Sequence, residues 1–256
     1  MGARIYIGTS GWHYKHWRAL FYPEQLQTSH WLEFYAKSFD TVELNNSFYH
    51  LPRLTAFDTW RDTTPARFRF AVKGSRFITH MKKLTDAESS TPKFFAGANR
   101  LENKLGPVLF QLPPRWKVNV ERLEEFLSSI ERGHQYAFEF RDDSWYTREV
   151  YEVLTRHESA LCIHDLGGKQ TPFEITAPFT YIRFHGPTEA KYSESYSKAQ
   201  LKGWAKRFND WRPKLKAIYA YFNNDVGGHA PKDAMTLKSL LATQADIETT
   251  KNSTRI

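Results

Sequence analysis

Short runs rich in β-branched and aromatic residues alternate with longer segments of helical period along almost the whole chain. That alternation predicts repeated βα units built around a parallel sheet. The expected strands are residues 5–8, 41–44, 67–73, 108–111, 136–140, 160–164, 179–184 and 217–222. Helices are expected over residues 29–38, 56–62, 93–101, 120–130, 147–157, 198–211 and 231–241. Within 120–130, Leu123, Phe126, Leu127 and Ile130 recur at helical spacing and define one apolar face. Residues 169–178 carry no such period, so the sixth unit is abbreviated. Eight strands in this order predict an α/β fold, a TIM-type (β/α)8 barrel in a single domain over residues 1–242, in preference to an open doubly wound sheet. Residues 243–256 are polar and aperiodic and are expected to form a disordered C-terminal tail.

Strand parity then separates two faces. Helices cover the outside of a barrel, so outward residues must be apolar and their neighbours point to the axis. Ile182 and Phe184 go out, leaving Tyr181, Arg183 and His185 inside; Phe138 and Phe140 go out, leaving Glu139 and Arg141 inside. The same rule turns Ser10, Glu43, Asn45, Lys73, Gln111, Cys162, His164 and Asn223 inward. A barrel that only packs its interior places branched aliphatics there. Convergent buried charges must instead pair with one another or with a ligand. The expectation is one cavity at the C-terminal strand ends, where barrel active sites lie. The bland counterpart is a self-satisfied ion network such as Glu139 with Arg183.

Composition narrows the classes. The chain has 256 residues, of which 41% are hydrophobic and 25% charged, enough to bury a full core. The one cysteine, Cys162, excludes an intrachain disulfide and any multi-cysteine metal site, and suits a reducing compartment. No run approaches a membrane span, and the first strand begins almost at Met1; a cytoplasmic protein without membrane contact is expected. The net charge of +8 favours anionic partners and keeps nucleic acid in play, although the basic residues form no run. The oligomeric state is not legible.

Several motifs resemble one family. Gly8-Thr9-Ser10-Gly11-Trp12, Val42-Glu43-Leu44-Asn45, Ile78-Thr79-His80, Gln111-Leu112-Pro113-Pro114, Glu139-Phe140-Arg141, Tyr181-Ile182-Arg183-Phe184-His185-Gly186 and Tyr221-Phe222-Asn223-Asn224-Asp225 are together similar to the YecE-like family, domain of unknown function 72. The resemblance implies a barrel but no settled activity. Family members often have His after the Arg of the Glu-Phe-Arg motif, where this chain has Asp142, so no role is carried to that position. Likenesses of the family to sugar isomerases and to endonuclease IV-type barrels are analogies of fold.

Three functions compete. In an enzyme acting on a phosphorylated or sugar-containing small molecule, Glu43 or Glu139 is the general base and His164 or His185 the proton partner. Lys73, Arg141 and Arg183 hold anionic oxygens, Asn45, Gln111 and Asn223 bind substrate beside them, and Trp12, with Tyr14 and Tyr49, covers a sugar face. In metal-assisted phosphodiester hydrolysis or nucleic-acid repair, Glu139, His164, Asp165, His185 and Asp225 are the ligand types. A non-catalytic binding module is the third. No metal site or cofactor is assigned.

Overall fold

The computed structural model describes residues 2–188 and 192–253, with side chains as far as Thr243. Nine strands are described: β1 (Arg4–Thr9), β2 (Thr41–Leu44), β3 (Arg69–Lys73), β4 (Leu105–Gln111), β5 (Tyr136–Glu139), β6 (Ala160–Leu166), β7 (Lys169–Gln170), β8 (Phe179–Phe184) and β9 (Ala217–Phe222). All but β7 pair in parallel in the order β1-β9-β8-β6-β5-β4-β3-β2. The ring nearly closes through a bridge between Ser10 and Glu43. This is the expected TIM-type barrel. The abbreviated unit is real: β6 runs into the two-residue β7, which folds back antiparallel on it, and no helix stands between β6 and β8 among the described residues.

The seam between β1 and β2 is held by side chain as well as backbone. Tyr35 Oη accepts from Thr9 N at 2.9 Å and donates to Thr41 O at 3.1 Å, bridging backbone groups the strands do not pair directly. Gly8 makes the approach possible, since a Cβ there would lie 2.1 Å from the Thr41 carbonyl oxygen.

The main helices are α1 (Trp31–Ser38), α2 (Asn46–Tyr49), α3 (Leu54–Thr63), α4 (Ala87–Ser90), α5 (Pro92–Ala98), α6 (Val120–Ser129), α7 (Arg148–Arg156), α8 (Lys198–Trp211) and α9 (His229–Ser253). Polar side chains fix several starts: Asn119 caps α6, Thr147 caps α7, and Ser197 with Gln200 forms a capping box on α8. The helix expected over 231–241 is longer than its apolar period suggests, because the backbone of α9 runs on to Ser253. Of the expected tail, residues 254–256 and the side chains beyond Thr243 lie outside the described residues.

Two apolar clusters follow the parity rule. Val42, Leu44, Phe70, Val72, Val108, Phe110, Phe138, Leu161, Ile163, Ile182, Phe184, Ile218 and Phe222 join the helices in the outer core. Inside, Tyr6, Leu109, Cys162, Tyr181, Tyr219 and Tyr221 pack with Ala71, Ala137, Ala160 and Ala217. The interior is therefore filled by tyrosines balanced against alanines, which conserves volume in a close-packed layer. Tyr6 and Tyr219 stack at 4.8 Å, Tyr221 shares a 2.7 Å hydrogen bond with Thr41, and Tyr181 donates to Glu43 at 2.6 Å. That last bond joins the packed interior to the polar layer above it.

Candidate functional site

Above the tyrosines lies a chain of buried charges. Arg183, at 2% exposure, donates from Nη2 to Glu43 at 2.7 Å and from Nη1 to Glu139 at 2.6 Å. Glu43 also accepts from Ser10 Oγ at 2.8 Å, and Glu139 pairs with Arg141. Both glutamates are fully buried. Ordinary burial would raise the Glu139 carboxyl, but Arg141 and Arg183, with His185 beside it, hold it well below the usual carboxylate range. Arg183 is likewise buried against its charge, and the two glutamates keep it protonated. His185 Nδ1 lies 3.0 Å from Asn223 Nδ2, and Nε2 lies 3.3 Å from Arg141 Nη2 and 3.7 Å from Glu139. Burial pushes the His185 imidazole down to about 3, so the ring is neutral at physiological pH.

This layer floors a cavity of about 700 Å³ at the C-terminal strand ends. Each wall follows a strand: Asn45 after β2, Lys73 at the end of β3, Gln111 at the end of β4, Arg141 after β5, His185 after β8 and Asn223 with Asp225 after β9. Phe48, Tyr49, His80 and Tyr192 close the rim. The buried atoms Asn45 Oδ1, Arg141 Nε and Arg183 Nε have no hydrogen-bond partner among the described residues, although all three residues line this space. Such groups are costly unless something else pairs with them.

Lys73 differs from the other charges. It is nine-tenths buried, and among the described residues no carboxylate lies within 4.0 Å of its ammonium. Its Nζ rests 4.1 Å from the centre of the Phe48 ring. Burial first, and then the Arg183 charge, pull the Lys73 ammonium down to about 8. His80, whose ring meets the same Phe48 ring edge-on at 5.1 Å, is pushed down to about 4 by burial and by Lys73. Burial raises Asp225, against the opposing influence of His16 at 3.7 Å. Lysine and aspartate on one cavity are thus both shifted towards neutrality, a pattern common at reacting sites.

Of the residues singled out from the sequence, Asn45, Lys73, Gln111, Arg141, Arg183, His185 and Asn223 line the one cavity. Glu43 and Glu139 lie beneath it, locked in ion pairs. His164 faces a separate space of about 270 Å³, which shares Arg141 and Leu166 with the first; burial lowers its imidazole to about 4. Trp12 does not line the cavity: it packs edge-on against Trp60 at 5.5 Å in the outer core, because its loop folds back over the helices. Tyr14 is likewise turned aside, donating to Ser10 O at 2.5 Å, whereas Tyr49 stands at the rim. His80 was missed among the site residues, and Asp225 entered only as a metal-ligand type. Parity does signal Asp225, two residues after Asn223; His80, on an irregular helical turn (Phe77–Met81), carries no parity signal and was marked only by the Ile78-Thr79-His80 motif. Among the described residues no three His, Cys, Asp or Glu side chains are grouped so as to hold a metal.

Fold and site together define a barrel protein with a polar pocket at the C-terminal ends of its strands. The family model for the protein of unknown function DUF72 matches residues 6–255, and the chain belongs to that family. It is 29% identical to the UPF0759 protein YunF of Bacillus subtilis over 93% of this chain and 94% of that one. It matches UPF0759 protein YecE of Escherichia coli K12 at 29% identity over 59% of this chain and 54% of YecE. A DUF72 family protein of Thermotoga maritima has the same fold, with a TM-score of 0.85 and 30% identity over 93% of this chain and 99% of that one. No helix among the described residues is long and apolar enough to cross a membrane.

Proposed function

We propose that this protein is an enzyme that carries out acid/base chemistry on a phosphorylated or sugar-containing small molecule bound in the 700 Å³ cavity. The observation that carries the reading is Lys73, a buried cation without a carboxylate partner among the described residues, facing that cavity beside Arg141. Arg141 offers an anion the planar fork of its guanidinium, with Nε unpartnered among the described residues. Asn45, Gln111 and Asn223 are suited to hydroxyl groups. Lys73 and Asp225 reach the cavity with proton affinities shifted towards neutrality, so they take over the acid and base roles expected of Glu43 and Glu139. The neutral His185 ring is better suited to hydrogen bonding than to proton uptake.

The alternative of metal-assisted phosphodiester hydrolysis has no grouped ligand set among the described residues to support it. The test is calorimetric titration with a series of sugar phosphates and their unphosphorylated counterparts. Phosphorylated ligands are expected to bind, with affinity falling as pH rises through about 8 and Lys73 loses its proton. Arg141→Met is expected to weaken binding tenfold or more. Equal affinity for both series would reduce the reading to a sugar site without an anion subsite, and binding of neither would overturn it.

A further inference from the structure

We propose that the Lys73 amine reacts covalently with its substrate, forming an imine with the carbonyl carbon of an aldehyde or ketone that also carries an anionic group. This deepens the reading of the cavity as a small-molecule site and rests on it. Three placements support the step. First, Nζ ends in the cavity with no carboxylate within 4.0 Å among the described residues, so no ion pair must break before it attacks. Second, the face of Phe48 lies 4.1 Å below Nζ and stabilises a cation there, which serves the iminium as well as the ammonium. Third, His80 flanks the same ring and faces the same cavity, held neutral where it can hydrogen-bond a bound carbonyl compound. Thr79 Oγ1 lies 2.9 Å from His80 Nδ1 and anchors the ring in this position.

The chemistry balances without a cofactor. The ammonium, held at about 8, gives up its proton to solvent, and the neutral amine adds to the carbonyl carbon while one of its protons passes through water to the carbonyl oxygen. The resulting carbinolamine loses water when its hydroxyl is protonated, leaving a protonated imine. The iminium then draws electrons from the adjacent C–H bond, whose proton has His80 or Asp225 as acceptor on the same cavity. Burial supplies the reactive form: a lysine held at about 8 carries far more free amine at neutral pH than one at its ordinary 10.5.

The test uses the full chain with D-glyceraldehyde 3-phosphate as probe and cyanoborohydride as the added reductant, followed by intact mass and peptide mapping at pH 7. Hydride from the reductant converts the imine to a secondary amine, so the labelled peptide gains the probe mass less one oxygen atom. Lys73 is expected to be labelled on the order of a hundredfold faster than the exposed Lys117 and Lys206 in the same digest. Excess glycerol 3-phosphate, which has no carbonyl, is expected to protect Lys73 alone. Lys73→Arg keeps the cation and is expected to lose the label while still binding glycerol 3-phosphate. Labelling no faster at Lys73 than at the exposed lysines would overturn the imine. If glycerol 3-phosphate still binds in that case, the small-molecule site survives; if it does not, both readings fail.

Discussion

Replacing Lys73 by methionine tests the electrostatics of the cavity through stability alone. In the unfolded chain the amine titrates at its ordinary 10.5, and in the folded protein at about 8. The folded state therefore binds fewer protons between those values, and stability rises with pH across that window. Below pH 8 the wild type carries the full penalty of burying an ammonium, 2.5 pH units of proton affinity, or about 3 kcal/mol. Methionine keeps most of the apolar stem and removes the charge, giving up about 1 kcal/mol of contact with Phe48. The net gain at pH 7 is about 2 kcal/mol, a rise in melting temperature of roughly 4–8 °C for a chain of this size. By pH 10 the penalty in the wild type has fallen below about 1 kcal/mol and the advantage of the variant disappears. Thermal melts of both proteins at pH 7 and pH 10 make the comparison. A variant less stable than wild type at pH 7, or a difference independent of pH, would refute the claim that Lys73 is held as a costly cation for a purpose other than folding.

Four further outcomes are expected. Arg183→Met leaves Glu43 and Glu139 buried without their shared cation and should cost about 3–5 kcal/mol in urea unfolding; a loss under 1 kcal/mol would show that the ion chain does not depend on it. Gly8→Ala forces a methyl against the Thr41 carbonyl and should lower stability by about 1–3 kcal/mol, read from the same urea curves, unless the β1–β2 seam can widen. The imidazoles of His164 and His185 are held at about 4 and about 3, below the ordinary 6.5, so the unfolded chain gains protons first as pH falls. With His80 also held at about 4, stability should drop by about 5 kcal/mol between pH 6.5 and 5, and His164→Gln should remove about a third of that fall. Finally, Cys162 is fully buried with its thiol pushed up, so Ellman's reagent should label it only in denaturant; rapid labelling of the native protein would contradict the packed interior.

Much of the fold is legible in the sequence because a barrel imposes one rule on every strand. Val42 and Leu44, Phe138 and Phe140, Ile182 and Phe184 each bracket a charged residue, and a surface covered by helices admits no other orientation. The same rule brings Asn45, Lys73, Gln111, Arg141, His185 and Asn223 to one end of the barrel, since it acts residue by residue along each strand. It is silent on loops. Trp12 has the composition of a sugar platform, yet its place is decided by Trp60, a contact set by how the first loop crosses the α3 helix.

Parity also cannot say which inward charges meet. Glu43 and Arg183 are 140 residues apart in sequence, and only the tilt and closure of the strands place them 2.7 Å from each other. That pairing takes the glutamates out of the cavity as bases, and it leaves Lys73, on a strand with no facing carboxylate, as the cation without a partner among the described residues. The alternation of apolar and polar residues determined which side chains point inward, because burial is a local constraint. Which of them neutralise one another, and which remain to act on a ligand, was decided by distances that exist only once the barrel is assembled.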